Sequence, residues 1–220
     1  MRSVSLDIET TGFEPLEGHK IVEIGCVELI DNFPSGKIWQ KYINPERSMP
    51  NDAFKVHGLS EDFLSNKPVF SDIANDFLKF IKDSSLIIHN AKFDLKFINH
   101  ELEVINIKPI DIESDKIIDT IDIAKKLFPG QSVSLDALCK RYKINVDRKL
   151  HGALLDAELL TEVFLEMHGG RQQYMNLVSN FRTDKSEMDN KKIKYSKDIY
   201  NLTKEELDYH EKLLEYINNY

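Results

Sequence analysis

Two carboxylates interrupt the first apolar segment of the chain. Asp7 and Glu9 lie in and just after the stretch "VSLDI", whose β-branched and apolar residues predict a strand. Side chains at positions i and i+2 project from the same face of a strand, so these two acids would stand side by side with no basic residue between them. That arrangement is unfavourable unless a cation binds there. In the other interpretation, Asp7 caps a turn and Glu9 opens a loop into solvent.

Two further acids each follow a histidine by five residues. "HNAKFD" runs from His89 to Asp94, and "HGALLD" runs from His151 to Asp156. Each Asp lies at the edge of an apolar segment or within one, where an isolated carboxylate is unfavourable. Taken singly, such an Asp could instead face solvent from an amphipathic helix. Taken together, Asp7, Glu9, Asp94 and Asp156 offer the hard oxygen ligands that suit Mg²⁺ or Mn²⁺ rather than zinc.

The chemistry expected of such a group is phosphodiester cleavage. Two divalent ions activate a water and stabilise the leaving oxygen, and a neighbouring histidine takes the proton from that water. His89 and His151 are both candidates for this base, since both precede an Asp by five residues. The spacing alone does not choose between them.

The elements that must position these residues alternate between strands and helices. Strands are predicted over "SVSLDI", "KIVEIGCVELI", "KIWQKYIN" and "SSLIIHN", with "DNFPSG" as the turn between the second and third. Helical patterns cover residues 72–83 (with Ser71 as N-cap), 93–105, 117–128, 134–142 (with Ser134 as N-cap) and 152–168. We therefore expect an α/β fold with a mixed sheet flanked by helices.

The composition changes after residue 170. Residues 171–200 are polar without a sustained period, which predicts a flexible linker between a domain at 1–170 and the C-terminal segment. Residues 201–220 again show a helical pattern. Thr203 and Glu206 have the spacing of a capping box, and Leu207, Leu214 and Ile217 form an apolar stripe. Such a helix cannot bury its apolar stripe alone, so we expect it to bind a partner.

The charge balance argues against a protein that holds nucleic acid by itself. The chain has 29 basic and 37 acidic residues, and the whole acidic surplus lies in residues 1–170. Cys26 and Cys139 lie in apolar segments without metal-ligand spacing, which predicts buried free thiols in a reducing compartment. No apolar run approaches the ~20 residues that span a bilayer, and the N-terminus lacks a signal-peptide pattern. We expect a cytoplasmic protein.

The motifs together resemble those of the DEDDh family of 3′→5′ exonucleases. "DIETTG", "HNAKFD" and "HGALLDA" are similar to the three exonuclease motifs of that family, within a resemblance that covers about the first 170 residues. The segments "VHGLS", "KPVF", "DT" and "FPGQSVSLDALCKRY", and "LTKEELDYHEKLL" near the end, resemble the members that proofread for a bacterial replicative DNA polymerase. The resemblance implies a ribonuclease-H-like fold and removal of mismatched nucleotides from a single-stranded DNA 3′ end.

The resemblance also implies a role for each acid and for one histidine. The residues that match the family's ligands for two Mg²⁺ or Mn²⁺ ions are Asp7, Glu9, Asp94 and Asp156. Among them, Asp94 matches the acid that often acts through water. His151 matches the general base, and only this resemblance selects it over His89.

A second group matches the family's contacts to the 3′-terminal nucleotide. It comprises Glu9, Thr10, Asp52, His57 and Asp156. Asp52 stands where relatives carry the longer Glu, and His57 could instead be a turn histidine before Gly58. Asp119, in "DT", is expected to start a helix or to support a ligand rather than to bind metal.

Partners are implied for the C-terminal part of the chain. Residues 201–220 resemble the polymerase-binding end of the proofreading members. In "QQYMNL", Gln172, Met175 and Leu177 have the Gln-x-x-apolar-x-apolar spacing of peptides that bind the bacterial sliding clamp, although an ordinary linker would also allow it.

Three other functions are compatible with parts of the pattern. An RNA-trimming exonuclease of the same family would share the motifs but lack the C-terminal appendage. A catalytically silent module that braces a polymerase would not need all four acids and His151. A structural metal site would favour Cys and His ligands.

Overall fold

The structure, a computed structural model, describes residues 1–146 and 150–169. The strands of this part are β1 (Arg2–Thr10), β2 (Ile21–Ile30), β3 (Phe33–Tyr42), β4 (Ser85–Ile88) and β5 (Ile117–Asp119). The helices are α1 (Asn51–His57), α2 (Glu61–Ser65), α3 (Phe70–Ile81), α4 (Ala91–Val104), α5 (Thr120–Leu127), α6 (Leu135–Tyr142) and α7 (Ala153–Met167), and a short 3₁₀ turn spans Pro15–Glu17.

The five strands form one sheet in the order β3-β2-β1-β4-β5. β2 is antiparallel to β1 and to β3, whereas β4 is parallel to β1 and β5 is parallel to β4. Because β4 runs parallel to its neighbour β1, the carboxyl ends of these two strands lie at the same edge of the sheet. The prediction of an α/β fold with a mixed sheet is therefore confirmed.

The turn between β2 and β3 is shorter than predicted. Asp31 and Asn32 have φ values of 50° and 65°, which are typical of a two-residue hairpin turn. The prediction of a turn over residues 31–36 was correct for Asp31 and Asn32 and wrong for residues 33–36, which belong to β3. Pro34 lies opposite Leu29 in this edge strand, where a missing backbone N–H is tolerated.

The prediction of one helix over residues 117–128 was wrong in its first turn. Ile117 and Ile118 pair with Leu86 and Ile87 of β4, and α5 begins only after β5 ends. A short apolar run fits a buried strand and a helix equally well by periodicity, so only the free edge of β4 decides between them.

Two predicted helix caps have different outcomes. Ser134 caps α6, since its Oγ accepts the N–H of Ala137 at 3.3 Å. Ser71 was wrong as a cap, because α3 begins at Phe70 and its N-cap is Val69. Phe70 is 5% exposed and packs in the core, and this contact holds the first residue of the helix one position before Ser71.

Helices α1 and α2 were not predicted. They contain seven and five residues, too few to show a helical period in the sequence. Gly58 ends α1 with a φ of 72°, a left-handed conformation that favours glycine. Ser60 then caps α2 by accepting the N–H of Phe63.

The sheet separates two apolar layers. On one face, alternate residues of β1 pack against α3 and α4 in the largest cluster, which includes Val4, Leu6, Ile8, Phe77 and Phe97. On the other face, residues of β2 and β4 pack against α7 in a smaller cluster of Leu29, Ile87, Leu160 and Phe164. The side chains of Ser5, Asp7 and Glu9 alternate with the first group along β1 and therefore face α7.

Three remaining expectations concern the whole chain. Cys26 and Cys139 are buried, and neither forms a disulfide within the part of the chain that the structure describes, in agreement with the prediction of buried thiols. Across the described residues, every helix is too short or too polar to cross a membrane. The predicted linker at 171–200 and the C-terminal segment at 201–220 lie outside the described residues, so the division into 1–170, 171–200 and 201–220 stays a prediction.

Candidate active site

The first two acids lie at the carboxyl end of β1. Asp7 and Glu9 are both strand residues, so the alternative in which Glu9 opens a loop is wrong. Asp7 is half-buried, and Glu9 is 9% exposed. The pairing of β1 with β2 shifts between Glu9 and Thr10, and such irregularities often re-aim side chains beside functional sites.

Helix α7 meets β1 and β2 at this point because Gly25 leaves room for it. Gly25 pairs with Asp7, and a Cβ atom on Gly25 would lie only 2.3 Å from the backbone of Ala153 and Leu154. Any larger residue would therefore push the start of α7 away from the sheet. The close approach puts the first turn of this helix, which carries Asp156, next to Asp7 and Glu9.

His151 and Asp156 complete a cluster with Glu9. One ligand atom from each of these three residues lies within 4.8 Å of the others. The Nδ1 of His151 is 3.0 Å from the Oδ2 of Asp156, and the Asp156 side chain is 6% exposed whereas that of His151 is 45% exposed. The acid thus lies inside the site, and the imidazole borders it on the solvent side.

Asp94 lies in the first turn of α4 and is 3% exposed. Burial raises its pKa well above the ordinary value, and the charge of Asp119 raises it further. Hydrogen bonds from the backbone of Asp94 itself and of Ile8 oppose this rise in the pKa. Since Ile8 lies between Asp7 and Glu9, the contact brings Asp94 to the same end of β1.

Asp119 organises this edge of the sheet as a cap of two helices. Its Oδ1 accepts the N–H of Ile121 in its own helix, α5, at 2.9 Å. Its carboxylate also accepts the N–H groups of Asn90 and Ala91, at 3.2 and 2.9 Å, at the start of α4. The expectation that Asp119 starts a helix is confirmed, and the acid also holds the helix that carries Asp94.

The structure separates the two candidate histidines. His89 Nδ1 is 2.9 Å from the Oγ1 of Thr120 at the start of α5, and burial lowers the pKa of His89. It contributes no ligand atom to the cluster found among the described residues, whereas His151 does. Identical spacing in the sequence therefore leads to two different environments.

Two of the expected substrate contacts lie together beside β1. His57 is 5% exposed at the end of α1, and its Nδ1 accepts the N–H of Leu59 at 3.0 Å. Burial lowers the pKa of His57, and the nearby backbone of Thr10 offsets part of that effect. The Oγ1 of Thr10 donates to the carbonyl of Gly12 at 2.6 Å.

Asp52 has a different environment from His57. Its side chain is 96% exposed in the first turn of α1 and forms an ion pair with Lys55 at 3.0 Å. Its predicted contact with the 3′ end stays a prediction. The proposed clamp-binding residues Gln172, Met175 and Leu177 lie outside the described residues.

One buried acid at this site was missed by the sequence analysis. Glu23 lies directly opposite Glu9 in the pairing of β1 with β2 and is 2% exposed. Its Oε2 accepts the backbone N–H of Ala153 at 3.1 Å, at the first residue of α7. A charged residue inside the apolar segment "KIVEIGCV" was the available signal, since buried acids need a specific partner.

The donor set of the site fits a hard divalent cation. Oxygens of Glu9 and Asp156 converge with a nitrogen of His151, whereas Asp7 and Asp94 lie outside this three-residue group. Oxygen ligands of this kind suit Mg²⁺ and Mn²⁺, whereas structural zinc sites favour thiolates.

The cluster of Glu9, His151 and Asp156 thus lies at the carboxyl end of β1 in a mixed five-stranded sheet. Residues 4–164 match the family model RNase_T, described as exonuclease. The chain belongs to this exonuclease family, which depends on divalent metal ions. The family predicted from the motifs is confirmed.

Relatives and solved structures agree with this family. A protein of Rickettsia typhi named DNA polymerase III subunit epsilon is 49% identical over 224 residues, which cover 99% of this chain and 97% of the relative. The structure of Exonuclease X in complex with 5′ overhanging duplex DNA is 26% identical with a TM-score of 0.58, over 76% of this chain and 90% of that chain. The nuclease domain of 3′hExo, a DEDDh family member bound to rAMP, shares the fold at 17% identity with a TM-score of 0.67, over 76% and 92%.

Proposed function

We propose that the chain is a 3′→5′ exonuclease that proofreads for a replicative DNA polymerase, the function of its relatives named DNA polymerase III subunit epsilon. The observation that carries this proposal is the convergence of Glu9, His151 and Asp156 within 4.8 Å. An exposed histidine bordering buried carboxylates is suited to proton transfer at a cation site.

The site residues divide into ligands and a base. The carboxylates that would hold two Mg²⁺ or Mn²⁺ ions are those of Asp7, Glu9 and Asp156, with Asp94 behind them. When bound, the ions supply the polarised water and the charge neutralisation that phosphodiester hydrolysis requires. With the ions bound to these acids, a chain of net charge −8 would have a place where a phosphate can bind.

His151 would take the proton of the attacking water. Its Nδ1 lies 3.0 Å from the Oδ2 of Asp156, so we assign the resting proton to Nδ1, which donates to that carboxylate, and leave Nε2 to accept the proton of the water. The water oxygen bonds to the phosphorus of the last phosphodiester, and the bond from that phosphorus to the 3′ oxygen of the preceding nucleotide breaks. The products are a nucleoside 5′-monophosphate and a shortened strand with a new 3′ hydroxyl.

His57, Thr10 and Asp52 would contact the terminal nucleotide. The effect of the Thr10 backbone on the pKa of His57 supports a shared surface for these two residues, next to Glu9. Asp52 would reach the 3′ end only by leaving its ion pair with Lys55. Selection of errors would follow from fraying, because a mismatched terminus unpairs at lower cost and enters the site more often.

The partners proposed for the chain lie on its C-terminal side. Residues 201–220 would bind the alpha (polymerase) subunit of DNA polymerase III, and tethering of this kind raises the local concentration of the 3′ end. Gln172, Met175 and Leu177 would bind the sliding clamp. A cytoplasmic location goes with these partners. A peptide of residues 170–180 that failed to bind the clamp at high micromolar concentration would remove the clamp from the proposal.

The experiment that tests the function is degradation of a primer with a mismatched 3′ end. The full chain is incubated with Mg²⁺, with and without the polymerase, and Asp7→Ala serves as the inactive control. We expect release of nucleoside 5′-monophosphates that the polymerase accelerates. A matched RNA oligonucleotide degraded faster than DNA would replace proofreading with RNA trimming, and no metal-dependent release would reduce the chain to a module that only braces the polymerase.

A further inference from the structure

Glu23 is a buried acid that has no part in the proposed reaction. We propose that it is a positioning residue, which fixes the start of α7 and thereby sets the places of His151 and Asp156. Its Oε2 accepts the N–H of Ala153 at 3.1 Å, across 130 residues of sequence. The inference rests on the proposed function, because it concerns the residues that would perform the cleavage.

The hydrogen bond lies between the two residues that it would position. His151 precedes Ala153 by two residues, and Asp156 follows it by three. The N–H of Asp156 donates to the carbonyl of Gly152 at 2.8 Å, so the first turn of α7 moves as one unit with its start. A rotation or shift of that turn would therefore displace both side chains.

A second hydrogen bond holds the other side of the same segment. The N–H of His151 donates to the carbonyl of Val56 in α1 at 2.9 Å. The segment that leads into α7 is thus fixed to α1 by one bond and to β2 by the other. Glu23 supplies the bond on the sheet side, next to Glu9.

The burial of Glu23 has a cost that this bond offsets. Directly opposed like charges destabilise a strand pair, and Glu23 lies opposite Glu9. The N-terminus of a helix carries a partial positive charge and stabilises a nearby carboxylate. Gln40 adds a hydrogen bond from its Nε2 to the Oε1 of Glu23 at 2.7 Å, so both carboxylate oxygens are held.

The pair of Glu23 and Gln40 permits a test by exchange. In Glu23→Gln alone, the new amide can accept from Ala153 only if its NH2 group faces Gln40, so the Gln40 amide must reverse and lose the hydrogen bond from its Nε2 to the hydroxyl of Tyr42 at 3.2 Å. In the double variant Glu23→Gln with Gln40→Glu, the new carboxylate at position 40 accepts from the new amide, whose oxygen is then available to Ala153. The exchange keeps the net charge and restores both hydrogen bonds.

Ser5→Ala provides the matched control. The Oγ of Ser5 donates to the carbonyl of Ala157 at 2.9 Å, so this variant also loses one buried bond between the sheet and α7. That bond lies beyond the first turn of the helix. Stability should fall in Ser5→Ala as in Glu23→Ala, but catalysis should not.

The experiment uses the full chain and four variants: Glu23→Ala, Glu23→Gln, the exchange and Ser5→Ala. For each protein we would measure kcat and KM on a single-stranded DNA oligonucleotide with Mg²⁺, thermal unfolding without divalent ions, and Mn²⁺ affinity by electron paramagnetic resonance. We expect Glu23→Ala to lower kcat about 10- to 100-fold, the range for groups that orient metal-site residues, with little change in KM. The Mn²⁺ affinity should weaken in parallel.

The exchange should recover most of the kcat that Glu23→Gln loses, and Ser5→Ala should retain the wild-type kcat. If Glu23→Ala and Glu23→Gln match Ser5→Ala in kcat and Mn²⁺ affinity, Glu23 only stabilises the fold and the proposal is overturned. If Glu23→Ala does not fold, Glu23→Gln and the exchange decide by the same criterion. A wild-type chain without nuclease activity would overturn the proposed function, while the Mn²⁺ affinities would still report on Glu23.

Discussion

A buried acid lies near each end of the central strand β1, and the groups that surround these two acids differ. At its start, Glu28 of β2 is 4% exposed and is bonded by the Nε of Arg2 at 2.6 Å and the Oγ of Ser35 at 2.7 Å. The hydrogen bonds from Ser35 and then Arg2 hold the pKa of Glu28 below its usual value. At the other end, burial and the charge of Asp119 raise the pKa of Asp94 well above its usual value.

The difference separates acids that stabilise the fold from acids that prepare a binding site. Glu28 receives its stabilisation from cationic and hydroxyl groups of the chain itself. At the carboxyl end of β1, Glu9 and Asp156 converge on each other and on His151 within 4.8 Å. A group of carboxylates that gather in this way raises one another's affinity for an external cation.

The largest expected effect comes from removing one acid at each end. Asp156→Asn should lower the cleavage rate by more than about 100-fold, since a ligand matters more than the groups that merely orient it. Glu28→Gln should leave the rate per folded molecule unchanged. Steady-state hydrolysis of a labelled single-stranded oligonucleotide measures both. Equal losses in the two variants would erase the distinction between the ends.

The two histidines of the repeated spacing give an effect of similar size. His151→Ala should lower kcat about 10²- to 10⁴-fold, the usual contribution of a general base, while the fold survives. His89→Asn, which keeps a polar atom for Thr120, should retain turnover. Single-turnover cleavage rates, checked against circular dichroism spectra, measure the difference. An unchanged rate in His151→Ala would refute its role as base.

These two histidines also show what the sequence could and could not predict. The first four strands, the long helices and the side-by-side acids of β1 follow from periodicity, because alternation of apolar residues determines which face a side chain occupies. His89 and His151 could not be separated in this way, since each one's role depends on a contact formed by folding. His151 meets Asp156, whereas His89 meets Thr120, 31 residues away.

Contacts between distant segments account for the other misses. The strand β5 forms because β4 offers it a free edge, and Glu23 matters because α7 begins above it. Neither relation leaves a local pattern in the sequence. Gly25 is a third example. Only glycine fits at this position because the backbone of Ala153, far along the chain, lies where a Cβ atom would be.

Glu28→Gln, which should leave the cleavage rate unchanged, should reduce the stability of the fold. Glu28→Gln should lower the free energy of unfolding at neutral pH by about 1–3 kcal/mol, the range for a hydrogen bond to a charged group. Because the folded-state pKa of Glu28 is lowered, its stabilisation is present above the unfolded-state pKa and is lost as the pH falls through the folded one. Urea unfolding between pH 7 and pH 3 should therefore converge for wild type and variant. A constant gap would place the stabilisation elsewhere.

The smallest effect concerns the acid sensitivity caused by buried histidines. Burial lowers the pKa of His57 and of His89 in the folded state, so the unfolded chain binds protons at a higher pH than the folded chain. Stability should fall as the pH drops below about 6.5, the unperturbed value. His89→Asn should make this decline shallower in unfolding curves between pH 7.5 and pH 5. A decline of unchanged slope would show that His89 does not contribute to it.

The most direct test of the central claim is to locate the cations themselves. Crystals of the full chain would be soaked in Mn²⁺, and anomalous diffraction would be measured at the manganese edge. We expect anomalous peaks in contact with Asp7, Glu9 and Asp156 and none at Glu28. Manganese bound elsewhere, with no peak at the carboxyl end of β1, would contradict it.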